Sequence, residues 1–130
     1  MLVRFLTNAG EVAAWARGEG FDHLCPSAWH LSVVRIDGRS PPGPLDSSPL
    51  TVESNLDREV ARMGGLIALT FQSPAVSERH DALRLAGGCW DFTIYRPHVS
   101  FMVDDGRYLK SVRPFGGLLR FGPEIIDRGW

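Results

Sequence analysis

Lysine is almost absent from this chain, and no sign of charge predominates. Of its 14 basic residues 13 are arginines and only Lys110 is a lysine, and the formal net charge is −1. A near-neutral chain lacks the broad basic surface on which binding to a long nucleic-acid duplex depends, so a small ligand is the better expectation. The arginine excess has two open explanations: bidentate recognition of phosphate by some of the side chains, or the codon bias of a GC-rich genome.

Cysteines and long apolar segments are also scarce. Cys25 and Cys89 show no metal-ligand spacing, so the sequence predicts free thiols, no zinc site and no cofactor. The longest apolar runs, such as residues 66–71, are far too short to cross a bilayer, and the first residues lack the basic and apolar regions of a secretory signal. We therefore expect a cytoplasmic protein without a membrane partner.

The length and composition fit one ordinary globular domain. The chain has 130 residues, of which 44% are hydrophobic and 22% are charged. A single core can serve a chain of this size, so residues 1–130 are predicted to form one domain.

The first half of the chain predicts a strand, a helix and a second strand. Residues 2–6 have strand character, Asn8 to Glu11 resemble a capping box, and the helix that follows ends near residue 18 or 20. Residues 30–36 form the second predicted strand. Four prolines between residues 37 and 49 exclude regular structure there and predict a mobile loop, a candidate lid.

The second half repeats this plan. After a weaker strand signal at 50–53, residues 66–71 predict a strand, and Ser73 and Pro74 are typical N-cap and N1 residues of a helix that ends at Gly87 and Gly88. Further strands are predicted at 97–103 and around 118–121. Each half therefore consists of a strand, a helix and a strand that contains a histidine.

Those two histidine-containing strands carry the same motif. His30 is followed by Ser32, and His98 by Ser100. In an extended strand, side chains at i and i+2 share one face and lie roughly 6.6 Å apart along the chain. Two such strands side by side would surround one phosphate. The alternative is two unrelated core histidines, as we expect for His23 and His80, which we interpret as structural or exposed.

The motifs and their surroundings resemble a known superfamily. The twin His-x-Ser motifs are similar to those of the two-histidine (2H), or LigT-like, phosphoesterases. Residues 8–16, 78–92, 95–100 and 121–125 resemble the branch of phage anti-CBASS nucleases, which degrade the cyclic oligonucleotide signals of bacterial immunity. The resemblance implies an α+β fold of two lobes, in which antiparallel sheets form a central cleft with the helices outside.

The chemistry of phosphodiester cleavage suits these residue types. Histidine is the side chain whose unperturbed pKa lies near neutrality, so one ring can act as general base and the other as general acid. The hydroxyl groups can donate hydrogen bonds to the phosphate oxygens without a metal ion. The resemblance thus implies a metal-independent site with four catalytic residues, which are His30, Ser32, His98 and Ser100.

Five further residues are candidates for substrate binding, each with a plainer alternative. Glu124 matches a base-recognition carboxylate, or is a solvated charge at the end of a strand. Trp130 stacks on a base, or belongs to a frayed terminus. Tyr95 and Arg96 touch the base or phosphate, or Tyr95 packs and Arg96 is exposed. Arg4 matches a basic position of the family, or is a lone surface arginine.

The resemblance implies hydrolysis of 3′–5′ linkages in cyclic di- and trinucleotides, in the cytoplasm of a host bacterium if a phage encodes the protein. Family members often carry a stacking aromatic on the first strand, where this chain has only Phe5. Two alternatives stay open: a phosphoesterase that acts on 2′,3′-cyclic phosphate ends of RNA or on small cyclic phosphates, and a module that sequesters a cyclic nucleotide without cutting it. The domain could also be a portion of a larger phage protein.

Overall fold

Seven strands and two helices make up the computed structural model, which describes residues 1–26, 28–38, 40–54 and 57–128. The elements in chain order are β1 (Leu2–Leu6), α1 (Ala9–Gly18), β2 (His30–Val34), β3 (Leu50–Val52), β4 (Glu59–Met63), β5 (Leu66–Thr70), α2 (Pro74–Leu85), β6 (His98–Val103) and β7 (Leu119–Ile126). The two predicted units appear as β1-α1-β2 and β5-α2-β6.

The seven strands belong to one antiparallel sheet with the order β3-β7-β1-β2-β6-β5-β4. Within it, β2 and β6 share a single residue pair, Leu31 opposite Val99, whereas β5 and β6 are paired over five positions. The two histidine-containing strands are therefore neighbours at a narrow seam between the two halves of the sheet. The assignment of this arrangement to the two-lobed 2H fold stays a prediction.

Local sequence signals account for the helix boundaries. Ser73 is the N-cap of α2, its hydroxyl oxygen accepts a hydrogen bond from the Val76 amide at 3.3 Å, and Pro74 follows at the first helical position. The capping box expected at α1 is wrong. Asn8 donates to the Glu11 carboxylate and the Leu118 carbonyl, and its amide oxygen accepts from the Arg120 amide, so this side chain joins the helix start to β7 instead.

Both helices lie on the same face of the sheet. Alternate residues of a strand point to opposite faces, and residues that pair across strands share a face. The ring of Trp15 in α1 packs at 5.5 Å against Phe101 of β6, and Phe101 belongs to the same hydrophobic core as Leu31 and Val99. In α2, Arg79 contacts Glu124, which pairs through Arg4 with Leu31. We call this side, which holds Leu31 and Val99, the helix face.

Two strands differ from what the sequence predicts. The strand expected around 118–121 continues through Gly122 and Pro123 to Ile126, and β4 was not expected from the sequence at all. No helix within the described residues has the length and apolarity that a membrane crossing requires.

Candidate functional site

The two His-x-Ser motifs meet on the face opposite the helices. Leu31 and Val99 are fully or almost fully buried on the helix face, where they pair. The residues on either side of them in β2 and β6 therefore point to the other face, and all are half-buried. We call this side the histidine face, and its central residues are His30, Ser32, His98 and Ser100. The structure thus brings together the four predicted catalytic residues.

Each imidazole ring is held in the same way. The Nδ1 atom of His30 lies 3.1 Å from the Ala28 carbonyl oxygen, and that of His98 lies 2.8 Å from the Arg96 carbonyl oxygen. A carbonyl only accepts, so Nδ1 of each ring carries the hydrogen and Nε2 of the neutral ring keeps its lone pair. Both rings therefore have Nε2 as the atom that can exchange a proton with a ligand.

The backbone beside His30 is unusual. Ala28 has a φ of +61°, a left-handed conformation that residues with a side chain seldom adopt. This conformation places the carbonyl that holds the His30 ring. A backbone cost of this kind persists where the surrounding structure fixes it, which is typical of functional sites.

Burial and charge favour the neutral form of His98. Burial lowers the pKa of its imidazole, the hydrogen bond to the Arg96 carbonyl raises it, and the charges of His30 and Arg96 lower it again. The charge of His30 is therefore close enough to act on the His98 ring.

Other residues extend the histidine face on both sides. On one side the ring of Phe5, opposite His30 in the β1 register, meets the imidazole edge-on with centroids 6.2 Å apart. On the other side Thr70 lies opposite His98 in β5. The guanidinium of Arg96 donates to Thr70 Oγ1 at 3.3 Å and to Glu59 Oε2 at 2.9 Å. Arg96 therefore adjoins the four central residues.

Arg4 and Glu124 lie on the helix face and are not brought to the histidines. The Glu124 side chain is fully buried and forms an ion pair with Arg79 at 2.7 Å, while Arg4 is paired with Asp46 at 2.8 Å. The hydrogen bond to Glu124 raises the pKa of the Arg79 guanidinium. Both plain alternatives, a solvated Glu124 and a lone surface Arg4, are wrong because these side chains are buried and paired.

These same charges fix the proline-rich loop. Arg79 donates to the Pro44 carbonyl, Arg4 donates to the Ser48 carbonyl, and the Asp46 amide donates to the Glu124 carboxylate at 2.8 Å. The loop segment 44–48 is therefore attached to the helix face. The expectation of a mobile lid is wrong for this segment, because the sheet lies between it and the histidines.

Tyr95 is a packing residue with one polar contact. Its ring stacks on His80 with centroids 3.8 Å apart, and its hydroxyl donates to the Ser32 carbonyl at 2.8 Å. Burial raises the pKa of this phenol. His80 itself is buried and its Nδ1 donates to the Val33 carbonyl at 2.6 Å. These two side chains hold β2 where it separates from β6, a role that no local pattern in the sequence indicated.

The remaining sequence candidates are His23, Trp130 and the two cysteines. The ring of His23 is exposed and lies 3.8 Å from the neighbouring Asp22 carboxylate. Trp130 falls outside the described residues. Cys25 and Cys89 are free thiols. Within the described ranges no three histidine, cysteine or acidic side chains gather as metal ligands would.

Two histidine–hydroxyl pairs on adjacent central strands, each with Nε2 available, define a candidate acid–base site on an antiparallel sheet. Comparison with known proteins gives the family. The family model described as "Anti-CBASS protein Acb1" matches residues 1–128, so the chain belongs to that family.

Two curated relatives carry the same description. One, from Caulobacter sp. (strain RHG1), is 34% identical over 142 residues, a match that covers 98% of this chain and 22% of the relative. The other, from Sphingomonas paeninsulae, is 33% identical over 136 residues and covers 95% and 22% respectively. The chain therefore spans about a fifth of the length of these relatives.

Proposed function

We propose that this protein is a phosphodiesterase that opens cyclic di- and trinucleotide signals at a 3′–5′ linkage and so counters a CBASS immune response in the bacterial cytoplasm. The observation that carries the proposal is the symmetric pair of imidazoles, each with Nδ1 fixed by a carbonyl and Nε2 free for proton transfer. The family description, anti-CBASS, agrees with a ligand of this class.

The chemistry needs two histidines in opposite protonation states. The neutral ring takes the proton from a ribose 2′-hydroxyl, whose oxygen forms a bond to phosphorus. The P–O5′ bond breaks, and the protonated ring gives its proton to the leaving oxygen. Ser32 and Ser100 donate hydrogen bonds to the non-bridging oxygens while negative charge accumulates there.

The resulting 2′,3′-cyclic phosphate is then hydrolysed by water with the roles of the rings exchanged. The first ring, now protonated, gives its proton to the 2′-oxygen, and the second ring, now neutral, takes one from the attacking water. Both histidines return to their starting states. The product is a linear oligonucleotide with a terminal 3′-phosphate.

Incubation with a panel of substrates tests the proposal. The protein is mixed, with EDTA present, with cyclic di- and trinucleotides and with 2′,3′-cyclic mononucleotides, and the products are identified by mass spectrometry. The expected result is linear product with a 3′-phosphate from the wild type and none from the His98→Ala variant. The matched control is His23→Ala, which removes an imidazole that is exposed and contacts Asp22.

Two other outcomes would contradict the proposal. Opening of cyclic mononucleotides alone would indicate a phosphoesterase for 2′,3′-cyclic phosphates. Binding of a cyclic dinucleotide that is recovered intact would indicate a module that sequesters the signal.

A further inference from the structure

A polar groove continues the histidine face beyond His98. It has a volume of about 540 Å³ and is bordered by the outer strands β4 and β5 together with the segment that leads into β6. Its lining residues are Asp57, Arg58, Glu59, Thr70, Gln72 and Arg96.

The strand register makes this groove continuous with the site. Thr70 pairs with His98 across β5 and β6, and Glu59 pairs with Thr70 across β4 and β5, so these three side chains follow one another along the same face. Arg96 comes two residues before His98, and its carbonyl oxygen holds the His98 ring. A ligand whose phosphate lies between the histidines therefore reaches the groove without leaving the sheet surface.

The groove presents a guanidinium that is free to change partners. Arg96 donates through Nη2 to Glu59 and Thr70, and the side chains of Arg96 and Glu59 are 40% and 67% exposed. An exposed ion pair of this kind contributes little in water. A phosphate, which matches the planar fork of arginine, can replace the Glu59 carboxylate, which turns into solvent.

Two neighbours support an anion at this place. The buried Thr70 hydroxyl accepts from Arg96 at 3.3 Å and donates to the Glu59 carbonyl at 3.2 Å, so it positions the guanidinium at the floor of the groove. The buried guanidinium of Arg58 is held by backbone carbonyls, including those of Phe115 and Glu53, and brings a second positive charge to the wall of the groove.

We infer that Arg96, positioned by Thr70, binds a second phosphate of the cyclic substrate while the first lies between His30 and His98. This inference rests on the proposed function, because a ring of two or more nucleotides carries a second phosphodiester and a 2′,3′-cyclic mononucleotide does not. The groove then selects closed oligonucleotide rings over 2′,3′-cyclic mononucleotides, whose single phosphate is already engaged by the histidines.

The test compares two substrates in two matched variants. Arg96→Gln removes the charge and keeps most of the length of the side chain. Arg62→Gln is the control, because Arg62 in β4 is also 40% exposed and paired with a carboxylate, that of Asp104, but does not line the groove. Steady-state kinetics are measured on a cyclic dinucleotide and on a 2′,3′-cyclic mononucleotide, and binding of the cyclic dinucleotide is measured by calorimetry.

We expect Arg96→Gln to raise KM and Kd for the cyclic dinucleotide by about tenfold or more, with kcat little changed, and to alter KM for the mononucleotide much less. Arg62→Gln should leave both substrates within about twofold of the wild type. An Arg96→Lys variant should recover part of the affinity, since it restores the charge without the planar fork.

The alternatives are distinguishable. Equal losses on both substrates, or a loss in kcat, would mean that Arg96 acts through His98 and would overturn the inference. So would no change on either substrate, or a wild-type protein that does not bind cyclic dinucleotides. If the wild type binds the ring without cutting it, the proposed hydrolysis fails, but a tenfold weaker Kd in Arg96→Gln would still support the second phosphate site.

Discussion

The two faces of the sheet hold their polar groups in different ways. On the helix face, Arg4, Asp46, Arg79 and Glu124 satisfy one another and the backbone of the loop above them. On the histidine face, His30 and His98 each bind a backbone carbonyl through Nδ1, which leaves Nε2 available to a ligand. The difference shows that a charged residue beside a histidine-containing strand need not share a face with the histidines. The atoms left unused by the protein define the candidate site.

The largest expected effect falls on the histidine face. Replacement of His30 or His98 by Ala should lower the chemical step by about two to four orders of magnitude each, because each removes a proton-transfer group. Single-turnover cleavage of a cyclic dinucleotide measures it, and thermal unfolding should show that the variants remain folded. Full activity in either variant would contradict the assignment of proton transfer to the two histidines.

A change on the helix face should act on stability instead. Glu124→Ala leaves the Arg79 guanidinium and the Asp46 amide without their carboxylate partner, which should cost about 1–3 kcal/mol in the free energy of unfolding. Urea denaturation measures this cost, with Glu78→Ala on the exposed side of α2 as the control. Activity per folded molecule should stay near the wild-type level; a loss comparable to that of the histidine variants would place Glu124 in the site.

Tyr95 joins α2 to β2, and its replacement should have a smaller effect. Tyr95→Phe keeps the stack on His80 but removes the hydrogen bond to the Ser32 carbonyl, which should lower the free energy of unfolding by about 0.5–1.5 kcal/mol. The matched control is Tyr108→Phe, since Tyr108 is 70% exposed. Equal stability of the two variants in urea would show that the hydroxyl does not hold β2.

The pH dependence of stability should show the smallest effect. Burial lowers the pKa of His98 in the folded state, whereas the unfolded chain keeps the ordinary value of about 6.5. The unfolded state then binds the proton more readily, so the free energy of unfolding falls as the pH decreases below about 6.5 and levels off below the folded pKa.

Denaturant unfolding between pH 5 and 8 measures this slope. His98→Gln should flatten the curve, whereas His23→Gln, at an exposed position, should leave it unchanged. An identical slope in wild type and His98→Gln would show that His98 is not the group responsible.

The sequence was sufficient for much of the local structure. The strand over residues 2–6 and the start of α2 at Ser73 and Pro74 are confirmed, because apolar periodicity and cap chemistry act within a few residues. The shared face of His30 with Ser32, and of His98 with Ser100, follows from the two-residue period of a strand. That the two motifs would be neighbours was inferred from a family resemblance, and β2 and β6 are adjacent strands here.

The sequence by itself therefore determined most of the strands, with β4 as an exception, the start of α2 and which side chains share a strand face. Only the tertiary structure decided which residues of each strand lie on the histidine face. The register of β1 and β7 shifts between Arg4 and Leu6, and a displacement of one residue would move Glu124 to the opposite face. The partners of Arg79 and His80 were decided in the same way, because contacts across 45 and 47 residues leave no trace in local sequence.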